Sequence, residues 1–271
     1  MLDTYFFIPA DKPKYFEKLE SLDVDFIVFD LEDSVIDANK LLAFDYLVKQ
    51  NVKSNQFVRI PLQEGNYTKE QINQIVEKFN GRLVIPKVDS KASIDLLKAI
   101  VGNRHLELII LLESPRGIIN LNQILSSYCA DIRAVGFGSH DFCAAVGMRH
   151  DMELLLYYKQ QIILQVKAFE IDYLDGVDTQ LNDFTNLKSE AKLAFDCGAT
   201  GKFLIHPSQI DALKEIEYIS DVELSRYEKV YNLIKGKELG EVQIINMDGV
   251  MYEKPHFPRI IKFIEKLNKG K

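Results

Sequence analysis

The sequence predicts an α/β protein, a (β/α)8 TIM barrel with a C-terminal helical or lid extension. Two observations carry the prediction. Short β-rich runs recur about every 25 to 30 residues, with longer amphipathic stretches between them. The runs are almost continuously apolar rather than alternating, as parallel strands covered on both faces by crossover helices are. A doubly wound sheet is the rival. It favours a glycine-rich turn after the first strand, and Ile8-Pro9-Ala10-Asp11-Lys12-Pro13 contains no GxGxxG.

In chain order, strands are expected at residues 4–9, 25–30, 56–61, 82–88, 106–113, 132–138, 173–179 and 201–207. Between the first two, residues 13–22 place Tyr15, Phe16, Leu19 and Leu22 on one helical stripe. Residues 69–79 do the same with Ile72, Ile75, Val76 and Phe79. The barrel is expected over 1–219. The remainder, 220–271, reads as a helix over 224–234, a glycine-broken linker over 235–240, a β-like run over 242–246, a turn at Met247-Asp248-Gly249 and a last helix over 258–267. So short a tail is expected to dock on its own barrel or on a neighbouring subunit.

The chain has 271 residues, with 33 Lys plus Arg against 40 Asp plus Glu, a net charge of -7. That balance disfavours a nucleic-acid partner. No run approaches the ~20 apolar residues of a spanning helix. The first residues lack a basic n-region, so a cytoplasmic protein is expected. Cys129, Cys143 and Cys197 are widely spaced, with no CxxC. They are read as buried small apolar residues rather than a disulfide framework or a zinc site.

In such a barrel, function gathers where the loops after the strands converge. Strand two ends Asp30-Leu31-Glu32-Asp33-Ser34, strand three carries Arg59, and strand four carries Lys87. Strand five ends Glu113-Ser114, strand six Gly138-Ser139-His140-Asp141. Strand seven carries Asp178 and strand eight ends in His206. Titratable groups thus collect at one end of nearly every strand. Glu113 closes a run of aliphatic residues, so it must be paired or bound to a metal. Asp141 is either functional or a helix cap, and Gly138 beside it suits close backbone approach to a ligand. Arg59 suits carboxylate recognition and would also pair with Glu32 or Asp30. Asp33 and Ser34 read as helix caps. Two carboxylates from adjacent strand ends, Glu113 and Asp141, suggest Mg2+, which keeps waters and substrate in its shell. The absence of soft ligands disfavours zinc.

The segments Phe29-Asp30-Leu31-Glu32-Asp33-Ser34-Val35, Val58-Arg59-Ile60, Ile85-Pro86-Lys87-Val88, Leu112-Glu113-Ser114-Pro115-Arg116-Gly117 and Gly136-Phe137-Gly138-Ser139-His140-Asp141, together with residues 201–210 and 247–251, occur in one order along nearly the whole chain. Together they resemble the citrate lyase β-subunit-like (CitE-like) proteins of the HpcH/HpaI aldolase superfamily. The resemblance implies a Mg2+-dependent barrel that makes or breaks C–C bonds beside carboxylates or thioesters, assembled as a homotrimer or hexamer. It implies Glu113 and Asp141 as metal ligands, Arg59 as the keto-acid grip, Glu32 as an organiser of the metal's waters, and the amides of Gly138 and Ser139 as substrate contacts.

Departures from the family pattern bear on the substrate. Lys12 stands where an arginine is common, which weakens the expected CoA phosphate contact. Glu253 replaces the lid aspartate and is the candidate proton carrier. The pair Ser139-His140 is unusual before the metal aspartate. The expected activity is a lyase of the citryl-CoA or malyl-CoA type, with Lys12 and Lys87 as further substrate contacts. The alternatives are a CoA-independent aldolase or lyase acting on pyruvate or oxaloacetate, and a metabolite-binding subunit without turnover. The expected partners are a small keto acid and an acyl-CoA.

Overall fold

The computed structural model describes residues 1–63, 67–238, 242 and 244–269. Parallel strands pair in chain order and the first closes on the last: β1 (Asp3–Pro9), β2 (Phe26–Asp30), β3 (Gln56–Arg59), β4 (Arg82–Ile85), β5 (Glu107–Leu112), β6 (Ile132–Phe137), β7 (Asp172–Asp175) and β8 (Gly201–Leu204). The closed ring removes the doubly wound alternative. Its helices are α1 (Pro13–Phe16), α2 (Lys40–Leu47), α3 (Lys69–Lys78), α4 (Lys91–Val101), α5 (Pro115–Tyr128), α6 (Ser139–Val146), α7 (Met152–Ala168), α8 (Thr185–Cys197) and α9 (Pro207–Lys214).

The register decides what fills the barrel. Tyr5 pairs with Phe26, Val28 with Phe57, Val84 with Ile109, Leu111 with Gly136 and Tyr5 with Phe203. Tyr5, Val28, Phe57, Val84, Ile109, Leu111, Ala134, Leu174 and Phe203 form one buried cluster. With side chains alternating along each strand, the next inward positions toward the carboxyl rim are Asp30, Arg59, Glu113 and Gly138. The core ends where the polar layer begins. Near the opposite rim, the Arg133 guanidinium lies 4.7 Å from the Phe26 ring centroid and pairs with Glu107. Tyr173, Asp175 and Lys202 have the other parity and are buried on the outer face of their strands.

Local signals place the helices. Thr68 and Gln71 form a reciprocal cap at the start of α3, with the Gln71 amide donating to Thr68 Oγ1 at 3.2 Å. Ser114 caps α5, followed by Pro115 at the first helical position. Some expectations need correction. Residues 13–22 form only the short α1 and a 3-10 turn at Leu19–Ser21. Phe16 alone stacks on Phe29, at 4.8 Å between centroids, while Tyr15 stays half exposed. Strand seven stops at Asp175, so Asp178 lies in the loop and accepts the Gln180 amide. Asp33 and Ser34 cap no helix. They sit in a turn whose Glu32 and Ser34 amides donate to the Asp30 carboxylate at 3.0 Å. Of the cysteines only Cys143 is buried; Cys129 ends α5 in solvent and Cys197 is half-buried.

The chain divides into two compact units, 2–215 and, with Met1, 216–271. The second unit contains α10 (Asp221–Ile234), the antiparallel pair β9 (Ile245–Met247) and β10 (Val250–Tyr252), and α11 (Phe257–Lys269). Asp248 and Gly249 both take positive φ, 54° and 82°, as a two-residue hairpin turn demands. Tyr227 of α10 meets the rings of Tyr252 and Phe263 edge-on. Part of the expected linker 235–240 and of the run 242–246 lies outside the described residues, and the strand there starts at Ile245.

Candidate active site

The inward positions at the carboxyl rim converge on a cavity of about 290 Å3. Arg59, Glu113, Gly138, Ser139 and Asp141 line it, with Asp30, Asp33 and apolar walls from Phe7, Leu111, Phe137, Val177 and Phe203. Arg59, Glu113, Gly138, Ser139 and Asp141, expected from the sequence to bind metal or substrate, therefore share one chamber within residues 2–215.

Arg59 is held on two sides. Its Nε and Nη2 donate to the two Asp30 oxygens at 2.7 and 2.6 Å, and its guanidinium carbon lies 4.8 Å from the Phe7 ring centroid. The register puts Asp30 directly beside Arg59. Burial works against the Asp30 charge, but the Arg59 fork outweighs it and holds the carboxyl below its ordinary range. The pairing of Arg59 with Asp30 is thus present. The remaining nitrogen, Nη1, is 3.3 Å from Glu32 Oε2 and 3.5 Å from Asp33 Oδ2. Of the three guanidinium nitrogens it has the longest contacts, so it is the one a ligand's carboxylate would compete for.

Glu32 is 5% exposed and takes the Lys87 ammonium on Oε1 at 2.7 Å. Burial raises its carboxyl pKa, opposed by Arg59 and Lys87. Lys87 follows β4 in a left-handed conformation, φ 54°, which a lysine rarely takes and which aims its amine across the rim. Glu32 and Lys87 line a neighbouring cavity of about 570 Å3 with Asp33, Val35, Ile36, Asp37, Lys40, Pro61 and Gln63. They brace Arg59 from the side.

Glu113 carries the clearest electrostatic signature. It is 5% exposed, and its Oε2 has no hydrogen-bond partner. Burial, and then the charges of Glu32 and Asp141, push its pKa up to about 8. A Cβ at position 138 would come within 2.5 Å of Glu113 Cγ, so only glycine fits against this carboxylate. Asp141 enters from the first turn of α6. A dry carboxylate with an orphaned oxygen and a second carboxylate near it is what a hard divalent cation would satisfy. Among the described residues no three His, Cys, Asp or Glu side chains converge on one point. Two protein carboxylates suit Mg2+, whose shell is completed by waters and substrate.

The remaining candidates lie elsewhere. Lys12, in the loop after β1, is exposed, with Nζ 3.4 Å from Asp11, and lines neither cavity. His206 caps α9, its Nδ1 accepting from the Ser208 amide. Glu253, in the C-terminal unit, is exposed and caps the 3-10 turn Lys254–His256. Sequence reasoning missed His150. Its Nε2 lies 2.9 Å from Ser139 Oγ, and its ring stacks on His140 at 3.9 Å. No spacing rule joins position 150 to 139, because a turn at Gly147 folds the chain back.

Residues 3–207 match the HpcH/HpaI aldolase/citrate lyase family. The chain is 24% identical over 258 residues to a (3S)-malyl-CoA thioesterase of Cereibacter sphaeroides, covering 92% of this chain and 89% of that one. It is 28% identical over 237 residues to the mitochondrial citramalyl-CoA lyase of Homo sapiens, covering 77% and 68%. In fold it is similar to protein CitE from Mycobacterium tuberculosis, crystallised with magnesium, acetoacetate and coenzyme A. There the TM-score is 0.77 and the identity 22%, over 97% of each chain.

Proposed function

The chain belongs to the HpcH/HpaI aldolase/citrate lyase family of carbon–carbon lyases, and from that premise we propose a Mg2+-dependent lyase of a citryl-CoA- or malyl-CoA-type 3-hydroxyacyl thioester. The observation that carries the reading is Glu113, buried with an unpartnered oxygen beside Asp141 in a cavity that Arg59 also lines. Glu113 and Asp141 would hold the cation, which would supply positive charge for the keto-acid oxygens and for an enolate oxygen.

This chain's own residues supply the rest. Arg59 Nη1 binds the acid's carboxylate, with Asp30 fixing the plane of the guanidinium. Glu32 and Lys87 keep that edge of the rim charged and ordered. The amides of Ser139 and the residues after it, free at the start of α6, face the acid's oxygens. Phe7, Leu111, Phe137 and Phe203 exclude water from the reacting carbons. Glu253 is the proton carrier suggested by resemblance, and E253Q tests it, because glutamine can keep the turn cap and cannot carry the proton.

Purified protein with Mg2+ and candidate thioesters is the direct test. Release of a keto acid with an acyl-CoA product, lost in E113Q, is expected. A second reading, thioester hydrolysis, is favoured by the likeness to the Cereibacter thioesterase and would release free CoA thiol instead. Neither product from any thioester would overturn the proposal. Calorimetry with CoA separates it from a CoA-independent aldolase of pyruvate or oxaloacetate, because Lys12 stands outside both cavities. Light scattering checks the proposed trimer or hexamer. Among the described residues no helix is long and apolar enough to cross a membrane.

A further inference from the structure

Between the cavity and the helices outside it sits a pair of side chains that the proposed chemistry does not use. Ser139 is the first residue of α6, is 4% exposed and lines the cavity. Its Oγ is 2.9 Å from His150 Nε2. His150 comes from the connection between α6 and α7 and stacks almost parallel on His140, at 6° between planes. A Cβ on Gly176 would approach Ser139 Oγ to 3.1 Å and the Phe137 carbonyl to 2.7 Å, so glycine at 176 keeps room for the hydroxyl. Lys202 in turn donates to the Gly176 carbonyl at 2.8 Å and so fixes that wall. The hydroxyl is therefore confined by three elements: the start of α6, the loop after β7, and the imidazole.

A serine hydroxyl has one proton to direct. If the imidazole accepts that proton, the cavity sees only lone pairs. If the imidazole donates from Nε2, the hydroxyl proton is free to point inward. The first turn of α6 also offers amides that no intrahelical carbonyl accepts, while the Glu113 and Asp141 carboxylates of the same cavity are acceptors kept for a cation, and Arg59 lines the chamber as a further donor. Amide and guanidinium donors recognise a ligand's oxygen, and a hydroxyl turned inward adds one more donor to them.

We propose that His150 is a positioning residue: in its Nε2–H form it donates to Ser139 Oγ and turns the Ser139 proton into the cavity, where it selects a short 2-oxo or 3-hydroxy carboxylic acid by one of its oxygens. The inference rests on the reading of the cavity as an acid-binding site, and it concerns how the acid is chosen rather than how a bond is cut. Burial, then the His140 ring and the Lys159 ammonium, hold His150 at a pKa of about 4. The ring is thus neutral at physiological pH, and one nitrogen carries a proton while the other does not.

The test is binding rather than turnover. With Mg2+ present, titration calorimetry of the full-length protein with pyruvate and with oxaloacetate should show affinity falling about tenfold in S139A, the scale of one hydrogen bond. His150→Phe keeps the stack on His140 and the volume but loses the bond, and should fall by the same factor. His150→Gln, which retains an N–H near the Nε2 position, should recover most of the affinity. The double variant S139A/H150F should bind no more weakly than either single one, because the two act as a unit. Nitrogen-15 NMR of labelled histidine should find His150 protonated at Nε2, with that resonance moving in S139A.

Unchanged affinity in S139A, a further loss in the double variant, or a proton on Nδ1 would overturn the inference. So would failure of the parent protein to bind either acid. The thioester cleavage assay decides the lyase reading separately, since neither outcome there depends on the Ser139–His150 bond.

Discussion

Glu113 follows Leu112 at the end of an aliphatic strand, and the charges of Arg59 and Lys87 only partly offset its burial and the neighbouring acids. Among the described residues it makes no ion pair, and its pKa of about 8 lies well above the ordinary value of 4.5, because of burial and the neighbouring acids. The folded protein therefore binds a proton that the unfolded chain has released. In the absence of metal, stability declines as pH rises from about 4.5 through 8. E113Q lacks that titration. In chelator, its denaturation midpoint should exceed that of the parent by a margin that grows between about pH 4.5 and 8 and levels off above that. With Mg2+ the order should reverse, since metal binding favours the deprotonated carboxylate and only the parent has one. A margin that stays flat with pH would show that the acid is paired by something else. Gly138 gives a companion result. G138A drives a methyl group into Glu113, so Mg2+ stabilisation should vanish and about 1–3 kcal/mol should be lost in chelator melts. Glu113 was legible because a charge ending an apolar run is conspicuous. Asp30 was legible only as a partner for Arg59; Lys87 was legible as a rim residue, but its left-handed backbone was not, since propensity gives no reason for lysine at φ 54°.

At the scale of strands and helices, the same alternation that points Asp30 and Arg59 inward points Asp175 and Lys202 outward. There Asp175 accepts Lys202 at 2.7 Å and Lys159 of α7 at 2.8 Å, with Glu190 of α8 3.9 Å from both amines. Burial opposes the Asp175 charge, but the two ammonium groups outweigh it and hold the carboxyl well below its ordinary range. The stabilisation is present above the unfolded pKa of 3.8 and is lost as pH falls below it. Removing the anion leaves two buried cations facing each other. D175N should cost about 3–5 kcal/mol in urea unfolding at neutral pH, while K188A, whose partner Glu215 is exposed, should cost under about 1 kcal/mol. Equal effects would mean that the buried group is not a unit. The sequence showed where strands lie because their aliphatic runs are dense. It misplaced the end of strand seven because Asp175 is a buried charge there, while Val177 beyond it continues the apolar pattern off the sheet. It overextended the first helix for a related reason: periodicity counts apolar residues, but Tyr15 is left exposed there and the half-buried Leu19 and Leu22 fall in and after a 3-10 turn.

For the whole molecule, a barrel whose function sits at one rim makes a spatial prediction. The residues lining the cavity belong to the carboxyl ends of strands, whereas Tyr5, Phe26 and Arg133 mark the other end. A ligand that binds only the folded state stabilises it by RT ln(1 + [L]/Kd), about 2.7 kcal/mol at a hundredfold excess over Kd. Part of that gain appears locally, as slower opening of the segments that touch the ligand. Amide hydrogen exchange with and without Mg2+ plus oxaloacetate should therefore show the largest protection in the turn after β2, at Glu113–Ser114, and in the first turn of α6. Residues 132–134 and the start of β1 should change least. Protection spread evenly over both rims would mean global stabilisation by an ion bound elsewhere, and protection centred on Arg133 would move the site to the wrong end of the barrel. The rim was readable from sequence because eight strands in one direction fix which end receives each loop. What could not be read was depth. The charge of Asp30, nearly absent from solvent, and that of Asp141, open to it, look alike in a string of letters, and only the closed register separates them.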